Sequence, residues 1–149
     1  MSILTIEGLH TGYGDVPILH GIDVAVAPGT IGAVIGANGA GKTTMMRAVA
    51  GILPAWQGAI RLEGERIDTL SPGRRVNAGV ILVPEGRKLF PSMTVLENLE
   101  LGSLHPDAKA KRRQTLEQVF EIFPRLKERA GQRAQTLSGG EQQMCAIGR

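Results

Sequence analysis

The sequence is almost without cysteine: Cys145 is the only one in 149 residues. A single thiol cannot close an internal disulfide. That excludes a disulfide-stapled fold and fits a reducing compartment; Cys145 itself reads as a small buried apolar residue. No apolar run approaches the ~18 residues a membrane span needs. The start of the chain also lacks the charged and then apolar stretches of a signal peptide, so the expected location is the cytoplasm. Charge of one sign is scarcely in excess, with 17 Lys and Arg against 14 Asp and Glu, too little to argue for a nucleic-acid surface. The densest basic run, Lys109, Lys111, Arg112 and Arg113, reads as a solvated helix face. There is no internal repeat, low-complexity tract or linker. Hydrophobic content of 42% and charged content of 21% are near globular averages, and the length suits one domain, 1–149, with a sizeable core.

Glycine, in contrast, is plentiful, with 20 residues, which predicts tight turns and close backbone approaches. "ILTIEGL" alternates at Leu4 and Ile6, and "GIDVAVA" at Ile22, Val24 and Val26, the pattern of half-buried antiparallel strands. "GYGD" and "APGT" mark turns. "IGAVIG" and "VILVP" are short continuous apolar runs, predicted as strands buried on both faces. "GAIRLEG" predicts a further strand. In "KTTMMRAVAG", Met45 and Val49 lie one helical turn apart and Gly51 is a natural stop. Thr94 and Glu97 form a capping box that opens a helix. Leu116, Val119, Phe120 and Phe123 make the apolar stripe of an amphipathic helix facing a core. The whole reads as one α/β domain, helical after about Thr94.

Between "IGAVIG" and the Lys42 helix lies "GANGAGKTT", Gly36–Thr44, which matches G-x-x-x-x-G-K-[ST]. A triphosphate is compact and heavily charged. Holding it requires inward-pointing N–H groups, no obstructing side chains and positive charge. Gly36, Gly39 and Gly41 let the backbone curl close, and the helix start supplies N–H groups and a positive dipole end. Lys42 is placed to reach the β- and γ-phosphates, Thr43 to hold Mg²⁺ and Thr44 to add a phosphate contact. The whole stretch, including Ala37, Asn38 and Ala40, is the expected nucleoside-triphosphate-binding loop. By itself this motif says only that a nucleoside triphosphate binds.

"LSGGEQQ", from Leu137, adds a second capping box, Ser138 with Glu141, enclosing Gly139 and Gly140. It reads either as an ordinary cap or as another anion site. Together the two motifs decide: the sequence resembles the ATP-binding cassette (ABC) ATPases, "GANGAGKTT" matching the Walker A loop and "LSGGEQQ" the signature motif. The spacing from Lys42 to Ser138 suits a single transporter cassette and leaves no room for the long insertions of chromosome-maintenance and repair relatives.

The resemblance implies a P-loop NTPase fold: an ABC-type cassette with an N-terminal antiparallel β subdomain, a partial RecA-like core and a helical subdomain over roughly 94–149. It implies two cassettes, identical or merely similar, sandwiching two ATP molecules, so that Ser138, Gly139, Gly140, Glu141 and Gln142 act on nucleotide held by the partner's Walker A loop. Hydrolysis would dissolve the pair. Tyr13 falls where the family has an aromatic that stacks on adenine, worth ~1–3 kcal/mol. Glu85 falls where most members have Gln. It keeps an oxygen for Mg²⁺ or water but adds charge, so Glu85 joins Lys42 as a catalytic candidate and Thr43 as a metal candidate. "VPEGR", "MTVLENL", "FPRLKER" and "LSGGEQQMCAIGR" are similar to ATP-binding subunits of branched-chain amino acid importers, where Glu at this position is typical. Importers of urea and short-chain amides are neighbouring alternatives. Implied partners are transmembrane permease subunits and a second cassette, with no nucleic acid. The subunit would sit on the cytoplasmic face of the inner membrane, attached only through the permease.

The resemblance also implies a strand ending in Asp-Glu and a switch histidine after the signature. His10, His20 and His105 all precede it. The C-terminal part of the core is therefore expected to be missing, leaving a fragment that binds nucleotide poorly and hydrolyses it inefficiently, and "IGAVIG" is expected to be left as an unpaired, aggregation-prone edge.

Overall fold

The computed structural model describes residues 2–149. Two compact units divide the chain, residues 1–82 and 83–149.

The first unit is built on an antiparallel sheet. Strands β1 (Leu4–Tyr13), β2 (Val16–Val26), β3 (Gln57–Leu62) and β4 (Glu65–Arg66) lie in the order β2-β1-β3-β4. The alternation read from sequence sets the register: Ile6 lies opposite Val24 on one side and Ile60 on the other, so the apolar residues share one face. The turns fall at Gly14–Asp15 and Pro28–Gly29. Helix α1 (Lys42–Val49) buries Thr44, Met45, Ala48 and Val49, and Met45, Ala48 and Val49 join Ile6, Leu9, Leu19, Ile60 and Ile67 in one core. The predicted stop is present, with Gly51 at φ 78° just after the helix.

Helix α2 (Pro72–Asn77) has Ser71 at its N-cap and Pro72 in its first turn. Its Arg75 is almost fully buried, 2% exposed. The guanidinium donates to the carbonyls of Ala48 (2.6 Å) and Val49 (2.9 Å) at the end of α1, and to those of Leu70 (3.0 Å) and Asp68 (2.8 Å). A cation at a helix C-terminus satisfies the terminal carbonyls and opposes the negative dipole end. A side chain at position 51 would stand 2.8 Å from Arg75 Nε, so Gly51 both ends the helix and makes room for its cap. Burial pulls the guanidinium below its ordinary pKa, with Asp68 opposing the shift.

Two sequence expectations are corrected here. "IGAVIG" and "VILVP" form no strands: residues 31–36 are exposed throughout, with Ile31 at 100% and Ile35 at 92%, whereas in "VILVP" only Ile81 is exposed, at 66%, and its other residues are half-buried, Val80 against the first core. A strand exists through the ladder it shares with a neighbour. Among the described residues the sheet consists of β1 to β4 alone and neither apolar run pairs with it, so both lack the ladder a strand needs. The expected unpaired edge is thus not an edge at all.

The second unit is helical: α3 (Val95–Glu100), α4 (Pro106–Ile122), α5 (Pro124–Glu128) and α6 (Gly139–Gly148). Its core is Val95, Leu99, Leu126, Leu137 and Cys145, against which Leu116, Val119, Phe120 and Phe123 pack as their spacing predicts. Burial raises the pKa of the Cys145 thiol, so the residue stays a neutral packing element. Lys109, Lys111 and Arg113 are exposed, while Arg112 turns back to Ser103. No helix among the described residues is long and apolar enough to cross a membrane.

Candidate nucleotide-binding site

The Gly36–Thr44 loop ends at Gly41, the N-cap of α1, in a left-handed conformation at φ 89°. Any other residue there would be strained, and its Cβ would lie 2.6 Å from Leu19 Cδ2. Glycine is therefore required twice, by backbone angle and by space. Gly39 is also left-handed, at φ 84°. The Ala40 N–H donates to Ala37 O (3.2 Å), closing a turn. Lys42 Nζ folds back over that turn and donates to Gly36 O (2.8 Å) and Ala37 O (2.7 Å). Residues 31–40 are exposed.

Helix α1 opens with no side-chain cap and no acidic residue in its first turn. Its positive dipole end and amide donors thus face the glycine loop uncompensated by a carboxylate, an arrangement that favours an anion. The Lys42 ammonium, held over the loop by Gly36 O and Ala37 O, adds a positive charge. Thr43 and Thr44 occupy the same first turn, Thr44 buried and Thr43 half-buried. Tyr13, at the end of β1, is 40% exposed, and its hydroxyl accepts a hydrogen bond from Arg47 Nη1 of α1 (3.0 Å).

The remaining sequence-selected residues, Glu85 and Ser138–Gln142, belong to the second unit. The capping box at Ser138 is formed: Ser138 N donates to Glu141 Oε2 (2.9 Å) and Glu141 N to Ser138 Oγ (3.3 Å). The backbone hydrogen bond from Ser138 holds the Glu141 carboxyl below its ordinary pKa, aided by the Ser138 side chain. Arg129 Nε stands 2.7 Å from Glu141 Oε1, balancing its charge. Gly139 and Gly140 are exposed. Gln142 is held at both ends of its amide: Oε1 accepts from Arg87 Nη1 (2.9 Å) and Nε2 donates to Ala134 O (3.1 Å).

Arg75, Arg87 and Arg129 were not singled out from sequence. Ser71-Pro72, a cap followed by proline, would have announced the helix that carries Arg75. Nothing local announces that three arginines turn inward.

The ABC transporter family matches residues 19–149. The chain is 45% identical to the high-affinity branched-chain amino acid transport ATP-binding protein BraG of Pseudomonas aeruginosa, over 99% of this chain and 63% of that protein. It is 33% identical to the probable branched-chain amino acid transport ATP-binding protein LivF of Archaeoglobus fulgidus, over 93% of this chain and 58% of that one. Among solved structures, the ADP conformation of MJ1267, an ATP-binding cassette of an ABC transporter, superposes with a TM-score of 0.81 at 28% identity, over 100% of this chain and 64% of that chain. The chain thus spans somewhat less than two thirds of the length of these three proteins, and with a family match over residues 19–149 it belongs to the ABC transporter family.

Proposed function

We propose that this chain is part of the ATP-binding subunit of an ABC importer, coupling ATP binding and hydrolysis to uptake of branched-chain amino acids. The observation that carries the reading is the 45% identity to BraG across 99% of the chain, which embraces both the Gly36–Thr44 loop and the Ser138 turn.

The loop fits a Mg²⁺–triphosphate on its donor set. An uncapped helix start without acidic residues, a left-handed glycine hinge and a lysine ammonium are what a polyphosphate needs. Residues 36–44 would wrap the phosphates with backbone N–H groups. Lys42 would exchange its two carbonyl acceptors for phosphate oxygens. Thr43 would hold the metal, with Glu85 as a further oxygen ligand or water-orienting group, and Tyr13 would stack on the base. Bound Mg²⁺ supplies charge neutralisation of the phosphates. Ser138, Gly139 and Gly140, exposed at the start of α6, would face nucleotide held by a second cassette, and residues 94–149 would form the helical subdomain. Permease subunits in the inner membrane would be the remaining partners.

Uptake of labelled leucine, isoleucine and valine, with urea and a short-chain amide as comparison, tests the cargo in a strain lacking this gene. Loss of branched-chain uptake alone is expected. Loss of urea or amide uptake with intact leucine uptake would reassign the importer.

A further inference from the structure

We propose that Arg87 is a positioning residue for the Ser138 turn, a role that rests on the reading of that turn as nucleotide-facing. Three consecutive residues, Gly86 (φ 73°), Arg87 (φ 63°) and Lys88 (φ 51°), are left-handed. Glycine tolerates this, but arginine and lysine adopt it rarely and at a cost, so such a segment persists only where its surroundings hold it.

Three ties hold it here. Arg87 Nη1 donates to Gln142 Oε1 (2.9 Å) in the first turn of α6. Arg149, at the other end of α6, donates to Lys88 O (2.9 Å) and Arg87 O (3.4 Å). The fully buried Asn98 accepts from Phe90 N (2.9 Å) and donates to Phe90 O (3.1 Å). The segment that follows Glu85 is therefore strapped along α6. Arg87 Nη2 also stands 3.3 Å from where a Cβ of Gly139 would lie, so the guanidinium backs the turn itself. Arg87 fixes Gln142, Gln142 fixes the first turn, and the Glu85 segment and the Ser138 turn are held as one piece. Release of the Arg87–Gln142 bond loosens the turn, while Arg149 and Asn98 still hold the segment.

Hydrogen exchange by NMR on the full chain tests this. Arg87→Ala and Gln142→Ala should each speed exchange of the Glu141 and Gln142 amides, which donate to Ser138, by about tenfold, the loss expected for a charge-assisted hydrogen bond. The double variant should be no faster than the singles, Leu99 and Val119 amides should not change, and Arg87→Lys should recover part of the protection. An unchanged rate in both single variants, additive effects, or acceleration spread equally over α3 and α4 would overturn the assignment. Adding MgATP separates the underlying reading. The wild-type chain should gain protection at both residues 36–44 and the Ser138 turn, and Arg87→Ala should keep the first and lose the second. No protection of the turn in the wild-type chain would remove its nucleotide-facing role, whereas the rates without nucleotide decide the Arg87 clasp on their own.

Discussion

Helices α1 and α6 follow the two glycine-rich motifs, yet they begin in opposite ways. Helix α6 satisfies its own start: Ser138 and Glu141 exchange hydrogen bonds, and Arg129 neutralises the carboxylate. Helix α1 has a left-handed glycine where a capping side chain would be and no acid in its first turn. A glycine in place of a capping side chain costs only about a few tenths of a kcal/mol, and under the proposed function the bare helix start is what meets a phosphate. The same contrast runs through the two units. The helical unit packs its apolar stripe into a core, whereas the sheet unit leaves the apolar segment before the loop in solvent. Both units have a packed core; what differs is how each glycine-rich motif starts its helix, one self-capped and one bare.

The largest effects should separate these parts by packing. Leu126 is fully buried in the helical unit, and Leu126→Ala should destabilise that unit by about 2–5 kcal/mol. Ile35, 92% exposed, is as apolar, but Ile35→Ala should shift stability by under about 0.5 kcal/mol. Chemical denaturation of the two variants checks both, and a large loss for Ile35→Ala would show that the segment is packed after all.

Next comes the opposite end of α1. Arg75→Met keeps the volume but strips four carbonyls of their donor, at an expected cost of about 3 kcal/mol. Helix α1 should fray from its C-terminus, with exchange rising at Gly51 and Ile52, whose N–H groups bond back to α1.

The smallest effect distinguishes two similar caps. Backbone hydrogen bonds from Thr94 and Ser138 hold Glu97 and Glu141 below their ordinary pKa. A lowered folded value means that the stabilisation is complete above the ordinary glutamate range and fades as pH falls through the lowered value. Helicity followed by circular dichroism should therefore decline on acidification, and Glu97→Gln or Glu141→Gln should flatten that decline. The flattening should be larger for Glu141, whose charge also meets Arg129.

Much of this was legible in the sequence where structure is local. Leu4, Ile6, Val24 and Val26 carry their own strand period. Met45, Val49 and Gly51 define a helix and its end, and both capping boxes are spelled by residues three apart. What failed to appear depended on distant partners. "IGAVIG" and "VILVP" have the composition of buried strands, but composition cannot supply the neighbouring ladder that makes a strand. Arg75 is the converse: a charged side chain that sequence assigns to the surface becomes buried because four carbonyls, gathered from the α1 terminus and the 68–70 turn, converge on it. The left-handed backbone at Arg87 and Lys88 is equally invisible locally, since its ties lie on α3 and α6.

The central claim is that the start of α1 and Lys42 together hold a nucleoside triphosphate. Its most direct test is the affinity of the full chain for MgATP, measured by titration with a fluorescent analogue, before and after Lys42→Ala. Loss of a charge-assisted contact of ~1.5–3 kcal/mol predicts a roughly 10–100-fold weaker Kd with an unchanged melting temperature. Equal affinity in the two proteins would contradict the account.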